Sequence, residues 1–193
     1  SSDVCSSDLI AIPLFYAKFF GNSLTQQASR TVPRQRGYWS GLMLGGAAFL
    51  IILVTFYFTR NLLDLQGIVN ELQDKSKITP ANFLLVGLYI TLVNSFLEEY
   101  FFRGFVFLSL YRHGKGRVAY IYSASLFAVY HLAIFKTWFS GPLMILALLS
   151  LVMVGFVFNW LTARSGSFIN SWITHIVADS AIILIGLRLF GIL

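Results

Sequence analysis

Apolar runs too long for a water-soluble core, separated by short basic connectors, set the outer limits on what this chain can fold into. Residues 38–59 form 22 consecutive positions without a charge, and about 20 such residues carry a helix across the hydrocarbon of a bilayer. Residues 80–111, 118–135, 142–162 and 168–189 are further apolar runs. Lipid offers no partner for a backbone N–H or C=O, so each run must close its own hydrogen bonds as a helix. Composition agrees, with 11% charged and 57% hydrophobic residues where a soluble domain carries about 25% charged. The expected fold is therefore all-α, a multi-pass transmembrane bundle of about five full spans. Residues 9–20, too few to cross alone, are expected to be the tail of a truncated N-terminal helix or a helix lying in the interface.

The same pattern narrows the classes of partner. A net charge of +6 suits nucleic acid, but the bases lie between apolar runs and build no basic face with interleaved aromatics, so none is expected. Basic loops of this kind meet anionic lipid headgroups. The single Cys5 leaves no internal disulfide and no pair of zinc-binding thiolates. Residues 1–8 nearly repeat Ser-Ser-Asp and are expected to be a non-native tip; no basic stretch precedes residue 9, so a cleaved signal peptide is not expected. Residues 9–79 form an N-terminal membrane region that includes an amphipathic surface helix within 60–77. Residues 80–193 form the core, opened by Thr79 as a cap and Pro80 in the first turn. Alternating the connectors puts Lys18, Arg30, Arg34, Arg36, Arg112, Lys115, Arg117 and Arg164 on one side, against Arg60, Lys75, Lys77, Lys136 and Arg188 on the other. Eight against five places the first group in the cytoplasm, with a site that opens toward it.

Outside the tip and the 60–77 loop, the acids are Glu98, Glu99 and Asp179, all inside apolar runs with His131 and His175. A charge at the bilayer centre costs about 2.5 to 3.5 kcal/mol on insertion scales, so such groups must face one another or water. Helical rise compares their depths. Glu98 lies 14 residues before Arg112 and His131 lies 14 after Arg117, roughly 21 Å from the same end at 1.5 Å per residue. His175 and Asp179, counted from Arg164, fall at about 16 and 22 Å. Within single helices, Glu99 with Arg103, Phe127 with His131, and His175 with Asp179 are i,i+4 pairs that share a face. Glu98 points about 100° away from Glu99, so one carboxylate can pair with Arg103 while the other meets a cavity. Taken singly, a Glu99–Arg103 pair is structural and a lone membrane histidine is an interhelical contact. Asn94, Asn159 and Asn170 belong with the structural residues, and Ser95 is near the layer without a triad setting. Convergence of Glu, His, His and Asp at one depth is what points to chemistry.

These residues resemble the intramembrane proteases of the CPBP family, which includes the CAAX prenyl endopeptidases and the bacterial Abi and bacteriocin-immunity proteins. The family's EExxxR motif stands here as Glu98-Glu99-Tyr100-Phe101-Phe102-Arg103, followed by Gly104. Its FxxxH motif is Phe127-Ala128-Val129-Tyr130-His131, and its third motif is His175-Ile176-Val177-Ala178-Asp179. The resemblance implies Glu98 as the general base that activates a water with help from His131, with His175 and Asp179 around the oxyanion and Glu99, Arg103 and Phe127 in support. Where some members carry Asn at the last position, Asp179 accepts but does not donate when ionised. It is therefore expected to orient His175 or to be protonated itself. No cofactor is favoured. Zinc is the alternative, held by Glu98, His131, His175 and Asp179, although no His-x-x-x-His or Glu-x-x-His spacing fixes ligands in one helix. The implied substrate is a peptide or protein, membrane-associated or lipidated, and the implied home is a bacterial cytoplasmic membrane. A proton-coupled transporter and a non-catalytic immunity or scaffold protein are the rival readings.

Overall fold

The computed structural model describes residues 38–193, the side chains of 133–135 excepted. Residues 1–8, the 9–20 stretch and the basic connector through Arg36 lie outside the described residues. The described chain is all-helical: α1 (Trp39–Thr59) with a 3₁₀ turn (Arg60–Leu62), α2 (Leu65–Ser76), α3 (Phe83–Arg112), α4 (Gly116–Phe135), α5 (Gly141–Ser165) and α6 (Ile169–Leu189). Among the described residues, four helices are long and apolar enough to cross a membrane: Trp39–Leu62, Phe83–Arg112, Gly141–Ser165 and Ile169–Leu189. The fifth expected span, 118–135, is helical as α4 and packs along α5, but it is not among these four.

The bundle keeps small residues inside and large apolar ones outside, as lipid permits. Gly41 and Gly45 are buried while Leu50 and Ile51 are more than half exposed. A Cβ on Gly41 would lie 2.7 Å from the Asn170 carbonyl oxygen, and one on Gly45 would lie 2.8 Å from Val177 Cβ. This Gly-x-x-x-Gly face lets α1 lie against α6, where Thr174 Oγ1 donates to the Gly41 carbonyl at 3.0 Å. Residue numbers rise together across that seam, so α1 and α6 run parallel. Gly41→Leu is expected to push the helices apart at a cost of about 1–3 kcal/mol, read as a lower thermal unfolding midpoint in detergent; an unchanged midpoint would show that this seam carries no stability.

α3 runs antiparallel to α6, with Phe83 beside Phe190, Gly87 beside Ile183 and Glu99 beside His175. Antiparallel α4 and α5 meet where Gly155 lies against Ala124. The Ser123 hydroxyl joins three helices there, between the Phe102 carbonyl (2.9 Å) and Asn159 Oδ1 (3.1 Å), while Asn159 Nδ2 donates to the Tyr120 carbonyl. Asp64 caps α2 by accepting from the Gly67 N–H at 2.9 Å. Val69 and Leu72 of α2 lie on the outer ends of α3 and α6, against Phe83, Val86, Leu189 and Phe190. The 60–77 segment thus contains a helix that rests one apolar face on the bundle. Regular helix in α3 begins at Phe83 rather than at Pro80: Asn82 Oδ1 accepts from the Thr79 N–H at 2.7 Å and holds residues 79–82 in a turn.

Two π-helical stretches, Tyr89–Asn94 and Tyr100–Phe107, flank one α turn at Ser95–Glu99. Sequence pattern did not show them, yet burial explains them. Gly87, Thr91, Ser95, Glu99, Arg103 and Phe107 are all buried, one every fourth residue. On a uniform α-helix such a row drifts 40° per step, roughly 200° over its length, and would finish facing lipid. The longer i→i+5 register takes up the extra residues, and π segments of this kind occur at functional sites.

Candidate active site

The α turn between the π stretches carries both carboxylates. Glu98 and Glu99 are 2% and 0% exposed, and they face different partners. Glu99 Oε1 accepts from Arg103 Nη1 at 3.0 Å, one turn on, and lies 3.1 Å from His175 Nδ1 of α6. A carboxylate can tie two helices this way because its oxygen accepts more than one hydrogen bond. Arg103, fully buried, lies in an aromatic box: its guanidinium carbon is 4.1 Å from the centre of Phe127, 4.9 Å from Phe158 and 5.8 Å from Phe102. Ring faces attract a desolvated cation by about 2 kcal/mol or more. They help offset a burial that a single ion pair compensates poorly.

Phe127 has a second use. Its ring also lies 4.3 Å, centre to centre, from that of His131, so one phenyl separates the Arg103 charge from the histidine. His131 Nδ1 lies 2.9 Å from the Phe127 carbonyl. A carbonyl only accepts, which assigns the proton to Nδ1 and turns Nε2 toward α3. His175 is set the same way, with Nδ1 on a carboxylate and Nε2 facing inward.

Glu98 completes the layer. Its Oε1 accepts from Asn94 Nδ2 at 2.6 Å. Its Oε2 is buried and has no hydrogen-bond partner among the described residues, 3.6 Å from His131 Nε2 and 4.0 Å from His175 Nε2. Asp179 Oδ1 lies 3.7 Å from that same His175 nitrogen, on the more exposed side of the ring. Glu98, His131, His175 and Asp179 therefore share one level of the bundle. The hydrogen bond that orients His175 comes from Glu99; Asp179 stands beyond hydrogen-bonding distance.

Several contacts were not read from sequence. Asn94 bonds to Glu98, and its i,i+4 spacing was the available signal. Ser95 donates to the Thr91 carbonyl and accepts from Trp172 Nε1 at 3.1 Å, so its hydroxyl is engaged in helix contacts. Trp172 itself carried no sequence signal, because its indole serves an interhelical bond that spacing does not reveal. Among the described residues, no three His, Cys, Asp or Glu side chains are grouped to hold a metal ion.

Residues 80–181 match the family described as type II CAAX prenyl endopeptidase, Rce1-like. The chain belongs to that family. No curated protein and no solved structure gives a significant match. The Rce1-like region opens just before α3 and closes two residues after Asp179, so it contains all three motifs and leaves α1 and α2 outside. Membership implies a CAAX-type membrane peptidase that acts on a peptide or protein within a lipid bilayer.

Proposed function

We propose that this chain is an intramembrane endopeptidase in which Glu98 and His131 activate a water without a covalent intermediate. The observation that carries the reading is the buried, unpartnered Glu98 Oε2 facing two imidazole nitrogens at 3.6 and 4.0 Å. Polar atoms separated by more than 3.5 Å suit a bridging water. Such a water donates one hydrogen to Glu98 Oε2 and the other to the lone pair of neutral His131 Nε2. Attack on the scissile carbonyl transfers the first proton to Glu98, whose carboxylic acid then protonates the departing amine. Doubly protonated His175, held at Nδ1 by Glu99, donates from Nε2 to the oxyanion. Asp179 then acts beside His175, as an acceptor when ionised and a donor when protonated. The mechanism calls for no nucleophilic Ser or Cys.

The proposed setting is a cell membrane, with the Arg112 to Arg117 turn in the cytoplasm as the charge count favours. The match to a CAAX prenyl endopeptidase family makes a farnesylated peptide with a CAAX terminus the first substrate to test. Purified protein in detergent is expected to cleave it at the same rate with and without a strong chelator. Loss of cleavage on chelation and recovery with zinc would replace the metal-free mechanism by one in which Glu98, His131, His175 and Asp179 are ligands.

A further inference from the structure

Glu98 Oε2 lies 3.6 Å from His131 Nε2 and 4.0 Å from His175 Nε2, where a direct hydrogen bond brings such atoms to about 2.7–3.2 Å. The gap to His131 has a simple cause. With its proton on Nδ1, against the Phe127 carbonyl, His131 turns a lone pair toward the carboxylate, and two acceptors do not bond. His175 is different. Its Nδ1 lies 3.1 Å from Glu99 Oε1, and in the mechanism above its Nε2 is a charged donor. A carboxylate beside such a donor gains a charge-assisted hydrogen bond by closing on it. The glutamate side chain offers no torsional resistance, because its χ3 is a broad, two-fold torsion. The 4.0 Å separation therefore calls for a restraint on the other oxygen.

Asn94 supplies one. Its Nδ2 lies 2.6 Å from Glu98 Oε1; a carboxylate only accepts, which assigns the nitrogen of the amide to that side. The two residues are i,i+4 on α3 and share a face. Asn94 closes the first π stretch and Glu98 lies in the α turn that follows, so one backbone sets both ends of the bond. That turn is fixed to α6 through Trp172 Nε1 on Ser95 Oγ and His175 Nδ1 on Glu99 Oε1. With Oε1 engaged in this way, Oε2 is left buried and without a partner among the described residues.

We propose that Asn94 is a positioning residue for catalysis: by holding Oε1 it keeps Oε2 off His175, so that a water fits between them and the imidazolium stays free for the oxyanion. This rests on the proteolytic reading above. Loss of the amide lets the carboxylate turn and bond His175 directly. The base then loses its water and the oxyanion its donor in one movement. Asn94 acts through Glu98 and not on the peptide, so the chemical step slows while substrate affinity holds. The sequence alone puts Asn94 with the structural residues, since i,i+4 spacing does not say which oxygen of Glu98 it engages or what the other oxygen faces.

The test is kinetic, on the full chain in detergent with the farnesylated peptide. Asn94→Leu, which is close in volume and lacks the donor, is expected to lower kcat by roughly 10- to 100-fold, the loss that a misplacement of about 1 Å brings, with KM within about twofold of the parent. Asn94→Gln carries the same amide on a longer arm and is expected to recover most of that loss. In a Glu98→Gln background, adding Asn94→Leu is expected to lower the residual kcat by less than about twofold, because residues that act as a unit are not additive. A kcat for Asn94→Leu within about threefold of the parent overturns the proposal, and so does the full loss repeated on top of Glu98→Gln. Should Asn94→Leu fail to fold, Asn94→Ala, equally without a donor, carries the same expectations and the same refutations. A parent that cleaves while Asn94→Leu keeps its kcat leaves the peptidase standing without Asn94; a parent that cleaves nothing overturns the reading on which both rest.

Discussion

Glu98→Gln is expected to lower kcat/KM by roughly 10²- to 10⁴-fold, the range that a positioned general base contributes. The two side chains have the same shape, and the amide oxygen still accepts from Asn94, whose Nδ2 lies 2.6 Å from Oε1. What is lost is the second lone-pair oxygen, the group that faces His131 and His175. An amide does not take a proton at neutral pH, so the water keeps both of its own. Because a neutral amide also costs less to bury than a carboxylate, the variant should unfold no earlier than the parent in detergent. Loss of cleavage with retained stability identifies a chemical role. A residual rate within tenfold of the parent would remove Glu98 as the base and leave the layer as a set of interhelical contacts.

Hydrophobic run length and helical rise contained most of the architecture. The spans were legible because lipid forces any long uncharged run to be helical, and the site level was legible because 1.5 Å per residue converts residue counts into depth. Rotation about each helix axis was not. In water an apolar face marks the interior, but here Leu50 and Ile51 face outward and Gly41 and Gly45 inward, so hydrophobic pattern does not orient α1. The π stretches escaped for a related reason: with polar, small and aromatic residues all buried along α3, no single period stood out. The same limit applies to Glu99. Its spacing announced Arg103, one turn away, whereas its bond to His175 crosses between helices 76 positions apart.

Removal of the Arg103 charge should produce the largest loss of stability in the molecule. Arg103→Met keeps length and apolar volume but leaves Glu99, 0% exposed, without its guanidinium partner and with only the His175 imidazole, 3.1 Å away, to balance its charge. Breaking one half of a buried pair costs about 3–5 kcal/mol, a large share of a total stability of order 5–15 kcal/mol. Because the cost arises from the stranded partner, removing the second charge as well should restore most of it. Glu99→Gln combined with Arg103→Met is expected to unfold within about 1–2 kcal/mol of the parent, since the uncharged pair avoids the desolvation penalty altogether. Activity should not follow stability. The double variant still offers His175 Nδ1 an acceptor, but a neutral one, so the imidazolium that donates to the oxyanion loses the carboxylate 3.1 Å away. Its kcat is therefore expected to fall more than its KM rises. Thermal unfolding and peptide cleavage measured on the same preparations decide the matter: if the single and double variants are equally unstable, Arg103 serves as an aromatic-box filler and its charge pairing with Glu99 is incidental.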